Sequence, residues 1–166
     1  PLWSQGIIVD ITERKLGEQH LHEAEERYRS LIETIPAATY IDTVEAVSQA
    51  VYMSPQVEDI FGYSPEEWLR RPDLWEQGVE PEDLPEVAAK IERLNRDGTP
   101  YEAEYRFRRP DGRVVWVHDQ AVVIRDENGV PLLCQGVMFD ITERRLAEEQ
   151  LRETEERFRA IVGAAL

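Results

Sequence analysis

The rhythm of apolar and polar positions changes several times along the chain. Residues 101–109, "YEAEYRFRR", alternate strictly. Tyr101, Ala103, Tyr105 and Phe107 fall on one face and Glu102, Glu104, Arg106 and Arg108 on the other, the period of a half-buried strand. "PDG" turns the chain at 110–112 into a long second strand, "RVVWVHDQAVVIRD". "DENG" turns it again into "VPLLCQGVMFDI". Further upstream, "ATYID" and "QAVYMS" predict two short strands joined by the loop Thr43–Ser48. The stretch between these two groups reads as helix. Ser54 and Ser64 each precede Pro, as an N-cap precedes a proline at the first helical position. A longer helix follows "EPED", with Leu84, Val87, Ala88, Ile91 and Leu94 on one side and Gly98 at its end. Two strands, several helices and three strands predict an α+β domain: an antiparallel sheet with helices gathered on one face.

The flanks have another period. "QGIIVDITERKL" at 5–16 is nearly copied as "QGVMFDITERRL" at 135–146. After each "DITER" the chain is rich in Glu, Arg, Leu and Ala, which favour helix. Leu21, Ala24, Tyr28, Leu31 and Ile35 step by 3, 4, 3 and 4, and Leu151, Thr154, Phe158, Ile161 and Ala165 step identically. That is a heptad seam, which predicts helices that pair as a coiled coil in a homodimer. A single amphipathic helix lying on its own domain uses the same stripe. The repeat predicts one complete unit of a tandem array. Residues 1–12 then hold the last strand of a preceding unit, 13–35 a linker helix, 36–141 a complete core and 142–166 the next linker helix. The orphan strand at 1–9 either pairs with a sheet edge or extends the first helix.

Composition narrows the function classes. The net charge is −15, from 34 acidic and 19 basic residues, which disfavours nucleic acid and anionic membranes as partners. One cysteine, Cys134, makes no intrachain disulfide and fits a reducing, cytoplasmic setting. No apolar run approaches the ~20 residues that span a bilayer. The chain opens on Pro1 rather than Met, as a piece of something longer does. There is no glycine-rich phosphate loop, nucleophile elbow or Cys/His metal spacing. Glu80, Glu82 and Asp83 read as acidic residues that favour a helix N-terminus, not as a catalytic group.

"YMSPQVEDIFGYSPEEWL", "EPEDLPEV", "YEAEYRFRRPDGRVVWVHDQ" and "GVMFDITERR" together resemble the PAS domain family, in its bacterial form with a C-terminal PAC motif. The likeness spans about residues 20–146, and Glu80 stands where relatives often carry His. It implies a five-stranded sheet with a helical cleft, flanked by helices that pass a signal to neighbouring PAS and effector domains. Such chains commonly end in a histidine kinase or a cyclic-dinucleotide enzyme, so the fragment itself is expected to be non-catalytic. The likeness also sets what the ligand subtypes would require. A flavin photosensor needs a reactive cysteine where this chain has Asp73 and a glutamine where it has Met138; Cys134 reads as a small core residue. A haem sensor needs an axial ligand on the helix at 80–97, which has no histidine; His20, His22 and His118 lie elsewhere. No cofactor is expected, with a small organic ligand left open.

Strand parity within that frame puts Ile41, Met53, Tyr105, Phe107 and Met138 toward the cleft, with Ile60 and Trp75 from helices. These side chains either fill the core or line a pocket, and a filled core is the simpler expectation. Trp68 packs between helix and sheet. Trp116 alternates with Val115 and Val117, so it faces outward and wants a cover, for which a linker helix is available. Asp140 and Thr142 sit at the joint between sheet and outgoing helix, with Thr142 expected to cap the helix and Asp140 to meet an arginine. Asp10 and Thr12 would be the same joint for the preceding unit. The reading is a sensory relay module that dimerises through its helices; the alternative is a passive dimerising spacer with no ligand.

Overall fold

The computed structural model describes residues 10, 15–17, 19–20, 22–23, 26–27, 30, 34–44 and 49–164. The chain divides into two units, residues 1–35 and 36–166. In the first, the described residues between 15 and 30 are helical. The strand expected at 1–9 lies outside the described residues, as do Thr12, Leu21, Ala24, Tyr28 and Leu31.

In the second unit five strands form one antiparallel sheet: β1 (Ala38–Thr43), β2 (Ala50–Met53), β3 (Tyr101–Arg108), β4 (Val114–Arg125) and β5 (Pro131–Asp140). Their order is β2-β1-β5-β4-β3. Between β2 and β3 run α1 (Gln56–Phe61), α2 (Pro65–Arg70), α3 (Leu74–Gly78) and α4 (Leu84–Asp97). After β5 comes α5 (Thr142–Ala164). The expected α+β fold, a five-stranded antiparallel sheet with helices, is the fold found.

Alternation builds the inner face. Tyr101, Ala103, Tyr105 and Phe107 of β3 pair in register with Ala121, Asp119, Val117 and Val115 of β4, and all eight are buried. Cys134, Gly136 and Met138 continue that face on β5, and Ala38 and Tyr40 on β1. Phe107, Phe61 and Trp68 stack at one end with ring centroids 4.8–5.9 Å apart, tying α1 and α2 to the sheet.

Local chemistry explains the helix ends. Ser64 and Glu67 close a reciprocal capping box with Pro65 at the first helical position. Gly98 ends α4 at φ +75°, donating its N–H to the Leu94 carbonyl. Ser54 is not the cap of α1. It is buried, its Oγ accepts from the Thr39 N–H at 2.9 Å, and it bonds the end of β2 back to β1. "EPED" sits at the N-terminus of α4, as expected, and also reaches the edge strand β3. The Glu80 N–H donates to the Arg106 carbonyl, and the Asp83 carboxylate accepts from the Arg106 N–H at 2.8 Å and from its guanidinium at 2.8–2.9 Å. Those contacts satisfy the outward backbone groups of Arg106 on the edge strand β3, which would otherwise be open to another strand.

Candidate functional site

The core is not filled throughout. Between the inner sheet face and helices α2 to α4 lies a cavity of about 200 Å³. Met53, Trp68, Trp75, Ile91, Leu94 and Met138 form its apolar wall. Polar groups also reach it: Tyr40 and Asp42 from β1, Tyr101 from β3, Asp119 from β4, and Asn95 and Arg71 from the helical side.

Asp119 is the centre of this polar set, and only 3% of it is exposed. Its Oδ1 accepts from the Tyr40 hydroxyl at 3.1 Å and its Oδ2 from the Tyr105 hydroxyl at 3.0 Å. Tyr105 in turn accepts from the Trp75 indole N–H at 3.0 Å. Burial pushes the Asp119 carboxyl up to about 7, against the hydroxyls that favour its charged form and with help from Asp42. Burial likewise raises the Tyr40 and Tyr105 phenols well above their ordinary range, reinforced by Asp119. The Tyr101 hydroxyl is buried without a well-formed hydrogen bond, and burial, reinforced by the nearby Asp119 carboxylate, raises its phenol above the ordinary range. Cys134 is buried too, and burial pushes its thiol up to about 12.

The parity assignment of the cleft therefore needs correcting on β1. Tyr40 and Asp42 point to the cavity, and Ile41 belongs to the opposite face. Met53, Trp75 and Met138 line the cavity. Tyr105 lies directly behind Asp119. Ile60 and Phe107 are buried but belong to the packed core away from the cavity. Sequence reasoning missed Asp119, Tyr40 and Tyr101. Asp119 had a signal: it shares the parity of Val115 and Val117, which puts a carboxyl on the inward face.

On the outer face a second cluster holds the start of α5. The Thr142 Oγ1 accepts from the Trp116 N–H at 2.9 Å, and the Ile141 N–H donates to the Trp116 carbonyl. The Asp140 Oδ1 accepts from the Thr142 N–H at 2.8 Å. Asp140 thus takes the capping part expected of Thr142, by meeting the first free N–H of the helix, and Thr142 reaches back to β4. The arginines of the first turn pair with another residue. Arg144 and Arg145 both bond the carboxylate of Glu104 on β3. Burial raises the Glu104 carboxyl, but those two cations outweigh it and hold it below the usual range. Trp116 is half-buried under the guanidinium of Arg145, 4.8 Å from the ring centroid, with Arg106 at 5.7 Å. The expected cover over Trp116 is the first turn of α5. Further along, Leu146, Leu151, Phe158 and Ile161 are 56–68% exposed. Asp10, from the other unit, is exposed.

Among the described residues no helix is long and apolar enough to cross a membrane, and no three or more His, Cys, Asp or Glu are grouped to hold a metal ion. A curled antiparallel sheet that shelters a small cleft on one side and grips an exit helix on the other defines a class of cleft-bearing α+β modules. The chain belongs to the PAS family: the model of the PAS fold matches residues 50–138. It is 30% identical over 161 residues to the two-component sensor PprA of Pseudomonas aeruginosa, covering 95% of this chain and 17% of that protein. The chain thus spans less than a fifth of that relative. Among solved structures it resembles the N-terminal domain of a diguanylate cyclase with PAS/PAC sensor from Marinobacter aquaeolei, at 29% identity and TM-score 0.59, covering 66% of this chain and 98% of that one. It also resembles a sensory box histidine kinase/response regulator from Burkholderia thailandensis, at 25% identity and TM-score 0.63, covering 81% and 98%.

Proposed function

We propose that the chain is a sensory and relay module of a larger cytoplasmic signalling protein, one unit of a tandem array, and that it is itself non-catalytic. Several of its relatives are sensors by name, and they include a two-component sensor and a diguanylate cyclase with a PAS/PAC sensor. A histidine kinase or a cyclic-dinucleotide enzyme in the same parent chain is the matching effector. The cleft takes a small organic ligand, and its cavity of about 200 Å³, below the ~300–1,000 Å³ of drug-sized ligand sites, favours a small one. Two copies pair through the helices, with Leu151, Phe158 and Ile161 as seam residues on α5 and Leu21, Ala24, Tyr28 and Leu31 as their counterparts upstream. Asp10 and Thr12 repeat the joint for the preceding unit.

The observation that carries the relay is the clasp at the start of α5. Glu104 holds Arg144 and Arg145, Thr142 is bonded to the Trp116 backbone, and Arg145 lies over the Trp116 ring. Trp116 is on β4, three residues before Asp119, so movement of that strand at the cleft is delivered to the helix. Glu104→Gln removes the charge that gathers both arginines. Charge-assisted contacts of this kind contribute about 1–2 kcal/mol. Amide exchange over residues 142–146 should therefore quicken about 5- to 30-fold by hydrogen-exchange mass spectrometry. The Asp140→Ala/Thr142→Ala variant in the parent protein should hold output fixed while the domain stays folded. Unchanged exchange together with normal regulation would leave only the passive spacer.

A further inference from the structure

Among the described residues Asp119 has no cationic partner, which is costly for a buried carboxylate, and it lines a cavity. The well-formed hydrogen bonds to Asp119 come from the Tyr40 and Tyr105 hydroxyls, one on each oxygen, and the Tyr101 hydroxyl lies nearby. A carboxylate has about four lone-pair sites, so each oxygen can accept again. From β1 a second carboxyl, Asp42, faces the same space. From β3 the Tyr101 hydroxyl lines the cavity near Asp119, in a residue 3% exposed, and it makes no well-formed hydrogen bond. From β5 the Cys134 thiol joins the lining, and from α4 come Ile91, Leu94 and Asn95. The cation nearest the cavity, Arg71, is at its rim. Its guanidinium donates to the Gln77 Oε1 and lies 6.0 Å from the Tyr63 ring centroid. The walls include the rings of Tyr40, Trp68, Trp75 and Tyr101. Aromatic faces attract cations, the more so out of water.

We propose that the cleft binds a small organic cation, a primary amine on a single-ring body, with its ammonium on Asp119 and the Tyr101 hydroxyl. The inference rests on the sensory reading of the cleft and deepens it by naming the ligand class. An ammonium supplies three donors and the missing positive charge. One goes to the Tyr101 oxygen and one or two to the open lone pairs of Asp119. An anion would meet two carboxyls, and a neutral alcohol would leave the buried charge uncompensated. The size agrees: a cavity of ~150 Å³ accommodates benzene, and the further space here admits a one- or two-carbon amine arm. Because the amine needs the ionised carboxylate, its affinity follows the Asp119 titration.

The test is calorimetric titration of the 166-residue chain with benzylamine and phenethylamine, against the neutral isosteres benzyl alcohol and 2-phenylethanol, at pH 6 and pH 8. Both amines stay protonated across that range. The expected result is binding of an amine at least tenfold tighter than its alcohol at pH 8. With the carboxyl at about 7, amine affinity should also rise about tenfold from pH 6 to pH 8. Asp119→Asn should abolish that pH dependence and the preference for the amine. Tyr101→Phe, which removes only a hydroxyl without a well-formed hydrogen bond and should fold at least as well, should weaken the amine several-fold and the alcohol little. Alcohols that bind as tightly as amines, amine affinity that is flat with pH, or no amine binding at millimolar concentration would each overturn the assignment. None of these outcomes bears on the clasp at α5, whose failure would appear in the exchange of residues 142–146.

Discussion

Asp119 ties three strands together through hydroxyl groups, and its cost to the fold depends on pH. An aspartate ordinarily titrates near 4, and burial has raised this one to about 7. Between those values the folded chain holds a proton that the unfolded chain has released. Its contribution is therefore intact below about pH 4, falls as pH rises toward 7, and is level above that. The loss is about 4 kcal/mol at most, reduced by whatever the surroundings relax. Asp119→Asn should remove it, so the stability of the variant relative to the parent should grow from pH 5 to pH 8 and then plateau, as read by urea unfolding. Gly136 is the second residue on which this network depends. It pairs with Tyr40 across β1 and β5, and an added Cβ would meet the Tyr40 ring at 2.2–2.4 Å. Gly136→Ala should displace Tyr40 from Asp119 and lower stability by about 1–3 kcal/mol, measured as a fall in denaturant midpoint with an unchanged m-value.

Elements with a consistent local code were readable from sequence alone. β3 alternates without exception, α2 carries Ser-Pro-Glu-Glu at its start, and α4 has its apolar face and a terminal glycine. The same code fails on β1, where polar side chains turn toward the cleft. On β1 the inward set is Ala38, Tyr40 and Asp42, and the one aliphatic residue between them, Ile41, is on the other face. A hydrophobic pattern therefore points the wrong way there. Ser54 misled for a related reason: Ser-Pro suits a helix start, but tertiary pairing claimed the hydroxyl for the Thr39 N–H. At the joint, sequence located Asp140 and Thr142. It could not reveal Glu104, whose partners are some forty residues away in the chain. α5 carries its own prediction. Phe158 is 68% exposed on a helix with a heptad seam. If that seam pairs two copies, Phe158→Glu should put repelling charges in the seam and shift the chain to monomer in sedimentation velocity, leaving the melting of the sheet domain little changed.

At the scale of the molecule, one strand serves both sites. β4 presents Val115, Val117, Asp119 and Ala121 inward, and Trp116 and His118 outward, where His118 faces Glu102 and Glu104 at 3.4–3.5 Å. In this strongly acidic chain, at −15, three arginines gather at the joint: Arg106 and Arg145 at Trp116, and Arg144 and Arg145 at Glu104. Such alternation has an evolutionary corollary. Under the proposed relay, substitutions around Asp119 on the inward face of β4 would alter what is sensed, while Trp116 on the outward face would keep the gearing to the shaft that leaves it. A descendant lineage can thus acquire a new stimulus without rebuilding its transmission.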